Sequence, residues 1–282
     1  MASSSLELYH GPRDQSFKEV IVSVLRKGNV KQKYIDMLTD DEGMRLYSQL
    51  FTHSSYDPVK NYEFYEHLGD STANKCLVWY FSRRFPQIFC PEGVKISARL
   101  KINYGSKESF APIAESLGFW PFISASVKAR SEDKKPLLED TFEAFIGGTE
   151  YLIDLRFRPG VGYSIVYDII ASVFDQKEIS LNFEELKDAK TRVKEIFDFF
   201  KKPRDDKLPI GDLKYENVRE DRFFVSQAFR IESNGRRSIL GTGRAPLQAA
   251  AEQKAAEKAE IALKSMGYFK PVSSDFSRFC KF

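Results

Sequence analysis

Carboxylates cluster in two short stretches whose spacing suits joint chemistry. In "NYEFYEHLGDS", residues 61 to 71, Glu63, Glu66 and Asp70 stand at i, i+3 and i+7, so on a helix they lie within roughly 60° of one another around the axis. In "EDTFEAFIGG", Asp140 and Glu143 again share one face, flanked by the apolar Phe142, Ala144, Phe145 and Ile146. Two like charges about 4 Å apart repel by roughly 1 kcal/mol in water and about 4 at an effective dielectric of 20. If the two stripes meet, protons or cations must neutralise them. Carboxylate and water ligands suit Mg²⁺ or Mn²⁺, hard cations that also pair with phosphate oxygens. Such a site fits phosphodiester hydrolysis, where the cation activates water, shields the phosphate and stabilises the leaving oxygen. Taken singly, each stripe reads equally as an ordinary solvated helix face. A carboxylate-bridged di-iron bundle needs Glu-x-x-His pairs, and neither acidic stretch contains one.

These residues need elements to hold them. From about 17 to 180 the pattern is helical nearly throughout: "SFKEVIVSVL", "EGMRLYSQLF", "STANKCLVWYFSRRF", "SFAPIAESLGF" and "TFEAFIGGTEYLIDL" carry apolar residues at three-and-four spacing. No strand is expected there, and "FPQIFCPEG" and "RSEDKKP" (130 to 136) read as loops. After about 187 the order becomes helix, three strands, helix. "DAKTRVKEIFDFFKK" is amphipathic, "LKYENVRE", "RFFVSQAFRIES" and "RRSILGTG" favour extended pairing with "SNGR" as a turn, and "PLQAAAEQKAAEKAEIALKSMG" is an Ala-rich helix stopped by Gly267.

At 282 residues, 42% hydrophobic and 29% charged, the chain has the make-up of a soluble globular protein of one large or two modest domains. The N-terminal "MASSSLELYHGPRDQ" has no apolar h-region, and "CLVWYF" is too short to span a bilayer, so neither export nor membrane insertion is expected. Cys76, Cys90 and Cys280 form no C-x-x-C motif and suit a reducing, intracellular setting, cytoplasmic or nuclear. Residues 186 to 270 hold 19 Lys+Arg against 13 Asp+Glu, net +6, while 1 to 185 hold 22 against 26, net −4. The basic part is the candidate polyanion binder.

With its two acidic motifs in this order, the chain resembles the ribonuclease III family. "FTHSSYDPVKNYEFYEHLGDS" is similar to the signature in which Thr-His-Ser is followed by Asn-Glu-x-x-Glu-Phe-Leu-Gly-Asp, and "EDTFEAFIGG" to the motif Asp-x-x-Glu-Ala-x-x-Gly. "PEGVKISARL" is a looser match to the middle motif, with Glu92 its glutamate. The resemblance runs from about 20 to 266. It implies an all-α endonuclease domain (1–185), an α-β-β-β-α double-stranded-RNA-binding domain (186–268) and a tail (269–282). By position, Glu66, Asp70, Asp140 and Glu143 become the catalytic, metal-binding carboxylates, with two Mg²⁺ or Mn²⁺ ions per site, and Glu63 an accessory acid. The implied activity is cleavage of both strands of an RNA duplex by a homodimer, leaving 5′-phosphate and 3′-hydroxyl ends with short 3′ overhangs, in RNA processing or in suppression of RNA silencing. The alternative is a protein that sequesters duplexes, its nuclease domain serving mainly as a dimer scaffold.

Some positions depart from that pattern. His67 stands where the family usually has Phe, and Tyr62 where it usually has Asn, which bears on the dimer seam and local packing. His53 reads as structural rather than as a base, Gly69 and Gly147 as permitting close helix approach, and Glu139 as solvated. Lys134 and Lys135 read equally as phosphate contacts or as a charged loop. In the RNA-binding domain the Gly-Pro-x-His loop is replaced by "NVREDR" and the lysine pair opening the last helix is missing. Arg236, Arg237, Arg244, Lys254 and Lys258 are the candidate RNA contacts, and weaker, less salt-dependent binding is expected.

Overall fold

Apolar spacing folds the first part of the chain into α1 (Gln15–Lys27), α2 (Gln32–Leu38), α3 (Asp41–Leu50), α4 (Glu63–Arg84), α5 (Val94–Tyr104), α6 (Lys107–Ser116), α7 (Val127–Glu132), α8 (Lys134–Arg156) and α9 (Val161–Phe174). The computed structural model describes residues 7–203 and 209–280, and the chain divides into two units, Met1–Ile179 and Ser180–Phe282. α1 shows how a helix is built here. Asp14 caps its N-terminus, accepting from the Ser16 and Phe17 amides at 3.0 and 3.3 Å, and Phe17, Ile21, Val24 and Leu25 form its buried stripe. α8 is different: every residue from Thr141 to Thr149 is buried, so it runs through the unit with neighbours on all sides.

Two expectations fail in this unit. A pair of two-residue strands exists, β1 (Leu8–Tyr9) antiparallel to β2 (Ala125–Ser126); elements this short show no alternation to read. The segment 130–136 is not a loop either, because α7 runs to Glu132 and α8 starts at Lys134, with only Asp133 between. Pro136 is tolerated because it lies in the first turn of α8, where its missing amide has no intrahelical partner to lose.

The second unit holds α10 (Phe183–Leu186), α11 (Ala189–Phe199), β3 (Asp212–Glu220), β4 (Phe223–Ile231), β5 (Arg237–Ala245), α12 (Gln248–Ser265) and α13 (Ser274–Ser277). The antiparallel sheet is ordered β3-β4-β5, and the helix–three strands–helix order expected is the order found. α11 buries Ala189, Val193, Ile196 and Phe197, and α12 buries Ala251, Ala255, Ala256, Ala259 and Leu263. Small residues bring α12 onto the sheet: a Cβ at Gly241 would lie 2.3 Å from the Ala255 carbonyl oxygen, and one at Gly243 2.1 Å from that of Ala251. β3 and β4 stay paired to Glu220 and Phe223, so their connection is only Asp221 and Arg222, with Asp221 at φ +50°. Residues 269–280 dock on this unit through Phe276, which meets Phe183 edge-on at 5.4 Å, and through Lys270, paired with Glu195 at 3.0 Å. Among the described residues, no helix is long and apolar enough to cross a membrane.

Candidate active site

Two glycines set the site. A Cβ on Gly69 of α4 would sit 1.8 Å from the Glu143 carbonyl oxygen of α8, and a Cβ on Gly147 would sit 2.2 Å from that of Tyr65 and 2.5 Å from the Gly69 nitrogen. The helices therefore cross in backbone contact, which no other residue at either position permits. Glu66, one turn before Gly69, faces Asp140 and Glu143, two turns and one turn before Gly147. One carboxylate oxygen from each of these three residues lies within 4.8 Å of the others.

Burial is the first cause of their altered acidity. It combines with the charges of Asp70, Glu139, Asp140 and Glu66 to push Glu143 up to about 8. Burial and the charges of Asp140 and Glu63 raise Glu66 to about 7. Asp140 is raised to about 6 by burial, against the pull of the Tyr62 hydroxyl and the Lys107 ammonium. Three crowded carboxyls that resist ionisation gain by exchanging protons for a divalent cation, and an all-oxygen donor set suits a hard one.

The other expected residues lie around this cluster. Asp70 is exposed, its side chain accepting from Asn74 Nδ2 at 2.7 Å; it stands outside the group of three, yet its charge is the first acting on Glu143. Glu63 is exposed at the start of α4. Glu139 is half-buried rather than solvated, and burial with the charge of Asp140 raises its carboxyl as well. His53 is structural: its Nδ1 accepts from the Ser55 amide at 3.1 Å, and burial lowers its pKa, favouring the neutral ring. His67 is exposed, on the stripe of α4 that also carries Phe64, Ser71, Lys75 and Val78. Lys134 and Lys135 pair with Glu115 and Glu108 at 2.6 and 2.5 Å. Tyr62, read from the sequence only as a departure, is the missed contributor. It donates to Asp140 Oδ2 at 3.1 Å, across a separation that no local pattern reveals.

The five basic residues of the second unit stand on β5, on the turn before it and on α12. Gly241 and Gly243 face α12, so strand alternation puts Arg244 on the opposite face of the sheet, its guanidinium 4.5 Å from the Phe223 ring centre. Arg237 pairs with Glu216, and Arg236 is exposed in the β4–β5 turn. Lys254 and Lys258 are exposed on α12, beside β5. Lys190, a residue the sequence did not single out, pairs with Glu252, which also accepts from Asn217 Nδ2 at 2.8 Å.

No family model matches the chain. A relative from Invertebrate iridescent virus 6 that carries the ribonuclease 3 name is 40% identical over 265 residues, covering 89% of this chain and 88% of the relative. A relative of the same name from Frog virus 3 (isolate Goorha) is 39% identical over 250 residues, or 88% of this chain and 63% of the relative. The ribonuclease 3 of Lactobacillus johnsonii is 31% identical over 252 residues, covering 85% and 98%. Together with a helical unit in which two acidic helices converge, these likenesses put the protein among the endoribonucleases. The chain belongs to the ribonuclease III family.

Proposed function

We propose that the protein cuts both strands of double-stranded RNA, as a homodimer, by hydrolysis dependent on Mg²⁺ or Mn²⁺, leaving 5′-phosphate and 3′-hydroxyl ends with short 3′ overhangs. The observation that carries this reading is the convergence of Glu66, Asp140 and Glu143 from two separate motifs to within 4.8 Å. These three and Asp70 are the residues that would hold the metal, two ions per site. When bound, the metal supplies an activated water and charge neutralisation at the phosphate. Glu66 and Glu143, with pKa values near neutrality in the ion-free protein, give up protons as they become ligands. Asp70, steadied by Asn74, would contribute the solvent-facing carboxylate, and Glu63, exposed in the first turn of α4, would contact the RNA or order the site.

Support for a dimer comes from an exposed apolar groove of about 550 Å³ lined by Val78, Trp79, Ile88, Phe89 and Val94. Trp79 is 48% exposed and Phe89 72%, and an apolar patch of this kind marks an association surface. The α-β-β-β-α unit is the proposed duplex-binding domain, reading A-form shape through phosphate and 2′-hydroxyl contacts. Free Cys76, Cys90 and Cys280 fit a reducing intracellular compartment.

Incubation of the purified protein with a long RNA duplex and Mg²⁺ tests the proposal. Short duplex products are expected from the wild type, with none in EDTA and none from Glu143→Gln, while the variant still binds duplex. Cleavage that persists in EDTA or in Glu143→Gln overturns the mechanism. A wild type that binds and never cuts indicates sequestration instead.

A further inference from the structure

Tyr62 touches both acidic helices. Its main chain opens α4: its carbonyl accepts from the Tyr65 and Glu66 amides at 2.8 and 2.9 Å, and its own amide donates to the Thr52 carbonyl at 3.0 Å. Its side chain crosses to α8, where the hydroxyl donates to Asp140 Oδ2 at 3.1 Å. The residue is 1% exposed, so this bond has little water to compete with it.

The ring is held from behind. His53 packs against it at a centroid distance of 5.7 Å. His53 Nδ1 is bound to the Ser55 amide and hydroxyl at 3.1 and 2.7 Å, and Ser55 Oγ accepts from the Ser126 amide at 2.9 Å. Ser126 belongs to β2 and is paired with Leu8 of β1. A series of fixed groups thus runs from the two-stranded sheet to one oxygen of Asp140. A carboxylate oxygen can only accept, so the phenol hydroxyl is the donor of the bond to Asp140.

From this geometry we infer that Tyr62 is a positioning residue for the metal centre: its hydroxyl holds one oxygen of Asp140 and thereby fixes the orientation in which Asp140 faces Glu66 and Glu143. The inference rests on the reading of the cluster as a metal centre. A carboxylate free to rotate must be ordered when the ion binds, whereas one already held meets the ion in place. Hydrogen-bond partners of ligating groups typically contribute roughly 10- to 100-fold to metal affinity.

Tyr62→Phe removes one hydroxyl and keeps the ring. Mn²⁺ binding to the RNA-free protein, followed by electron paramagnetic resonance, should weaken about tenfold or more, with the thermal unfolding midpoint in EDTA little changed. In cleavage assays the half-saturating Mn²⁺ concentration should rise by a similar factor, and the rate should recover at saturation. Mn²⁺ affinity within twofold of wild type overturns the inference. So does a lowered saturating rate with an unchanged Mn²⁺ midpoint, the mark of general structural damage. If the wild type binds no Mn²⁺, or Glu143→Gln binds it as tightly, the metal-centre reading fails and takes this inference with it.

Discussion

Alanine at residue 69 should disrupt the site through the backbone alone. Its Cβ would stand 1.8 Å from the Glu143 carbonyl oxygen, whereas ordinary contact begins at 3.4 Å, a shortfall of about 1.6 Å in an interior packed too densely to absorb it. The obstacle is main chain, so no rotamer change relieves it, and α4 must draw away from α8. Overfilling a packed core costs about 1–3 kcal/mol, and the upper end is expected because α8 is enclosed along its middle turns. The same movement carries Glu66 away from Asp140 and Glu143. A displacement of about 1 Å at reacting groups can cost about 100-fold in rate. Urea unfolding and single-turnover cleavage at saturating Mg²⁺ measure the two effects on one preparation. Gly69→Ala with stability within about 0.5 kcal/mol of wild type, the range of an ordinary surface substitution, and with unaltered cleavage would refute the claim that this crossing sets the cluster. Gly147→Ala acts on the same seam, so the double variant should lose less than the sum of the singles.

Other outcomes follow from other parts of the molecule. The ion-free protein should lose stability as pH rises from about 4.5 towards 8, because Glu66, Asp140 and Glu143 keep protons in the fold that the unfolded chain has released. Unfolding midpoints in EDTA at pH 5 and pH 8 check this, and Glu143→Gln should shrink the difference. Mn²⁺ binding should release protons and tighten with rising pH, which calorimetry in two buffers of different ionisation enthalpy detects. Trp79→Glu puts a charge into the exposed apolar groove and should yield a monomer in sedimentation, with loss of double-strand cleavage; a persistent dimer would assign the seam elsewhere. Arg13 donates to the carbonyls of Gly11, Phe51 and Phe122 at 3.0, 3.2 and 2.6 Å. Arg13→Met strands these acceptors and should cost about 3 kcal/mol in urea unfolding.

What the sequence made legible was local. The stripe Phe17, Ile21, Val24, Leu25 marks α1 without ambiguity, and the spacing of Glu63, Glu66 and Asp70 already puts them on one face of α4. Gly69 and Gly147 were readable as a close approach, though not the distance of it. The rest depends on residues that meet only in the fold. Tyr62 finds Asp140 78 positions away, and Lys190 finds Glu252 62 positions away. β1 and β2 are strands because of what they pair with, and two residues carry no period of their own. The basic residues of the second unit share a sign and a neighbourhood in sequence, but strand alternation turns the Arg244 side chain to the sheet face away from α12, while Lys254 on α12 reaches the Arg244 carbonyl at 3.3 Å.

The turn of Asp221 and Arg222 has a consequence for the way the second unit meets a ligand. Strands paired up to Glu220 and Phe223 leave no slack main chain at that end, so the backbone there is already ordered before contact, and a cost of about 1–2 kcal/mol per residue of loop is avoided at that tip. The same closure fixes the reach of the β3–β4 hairpin. Its span along the sheet is that of nine-residue strands, about 30 Å at 3.3 Å per residue. At this tip a partner is met by a stamp of set length, with no finger between β3 and β4 to extend it.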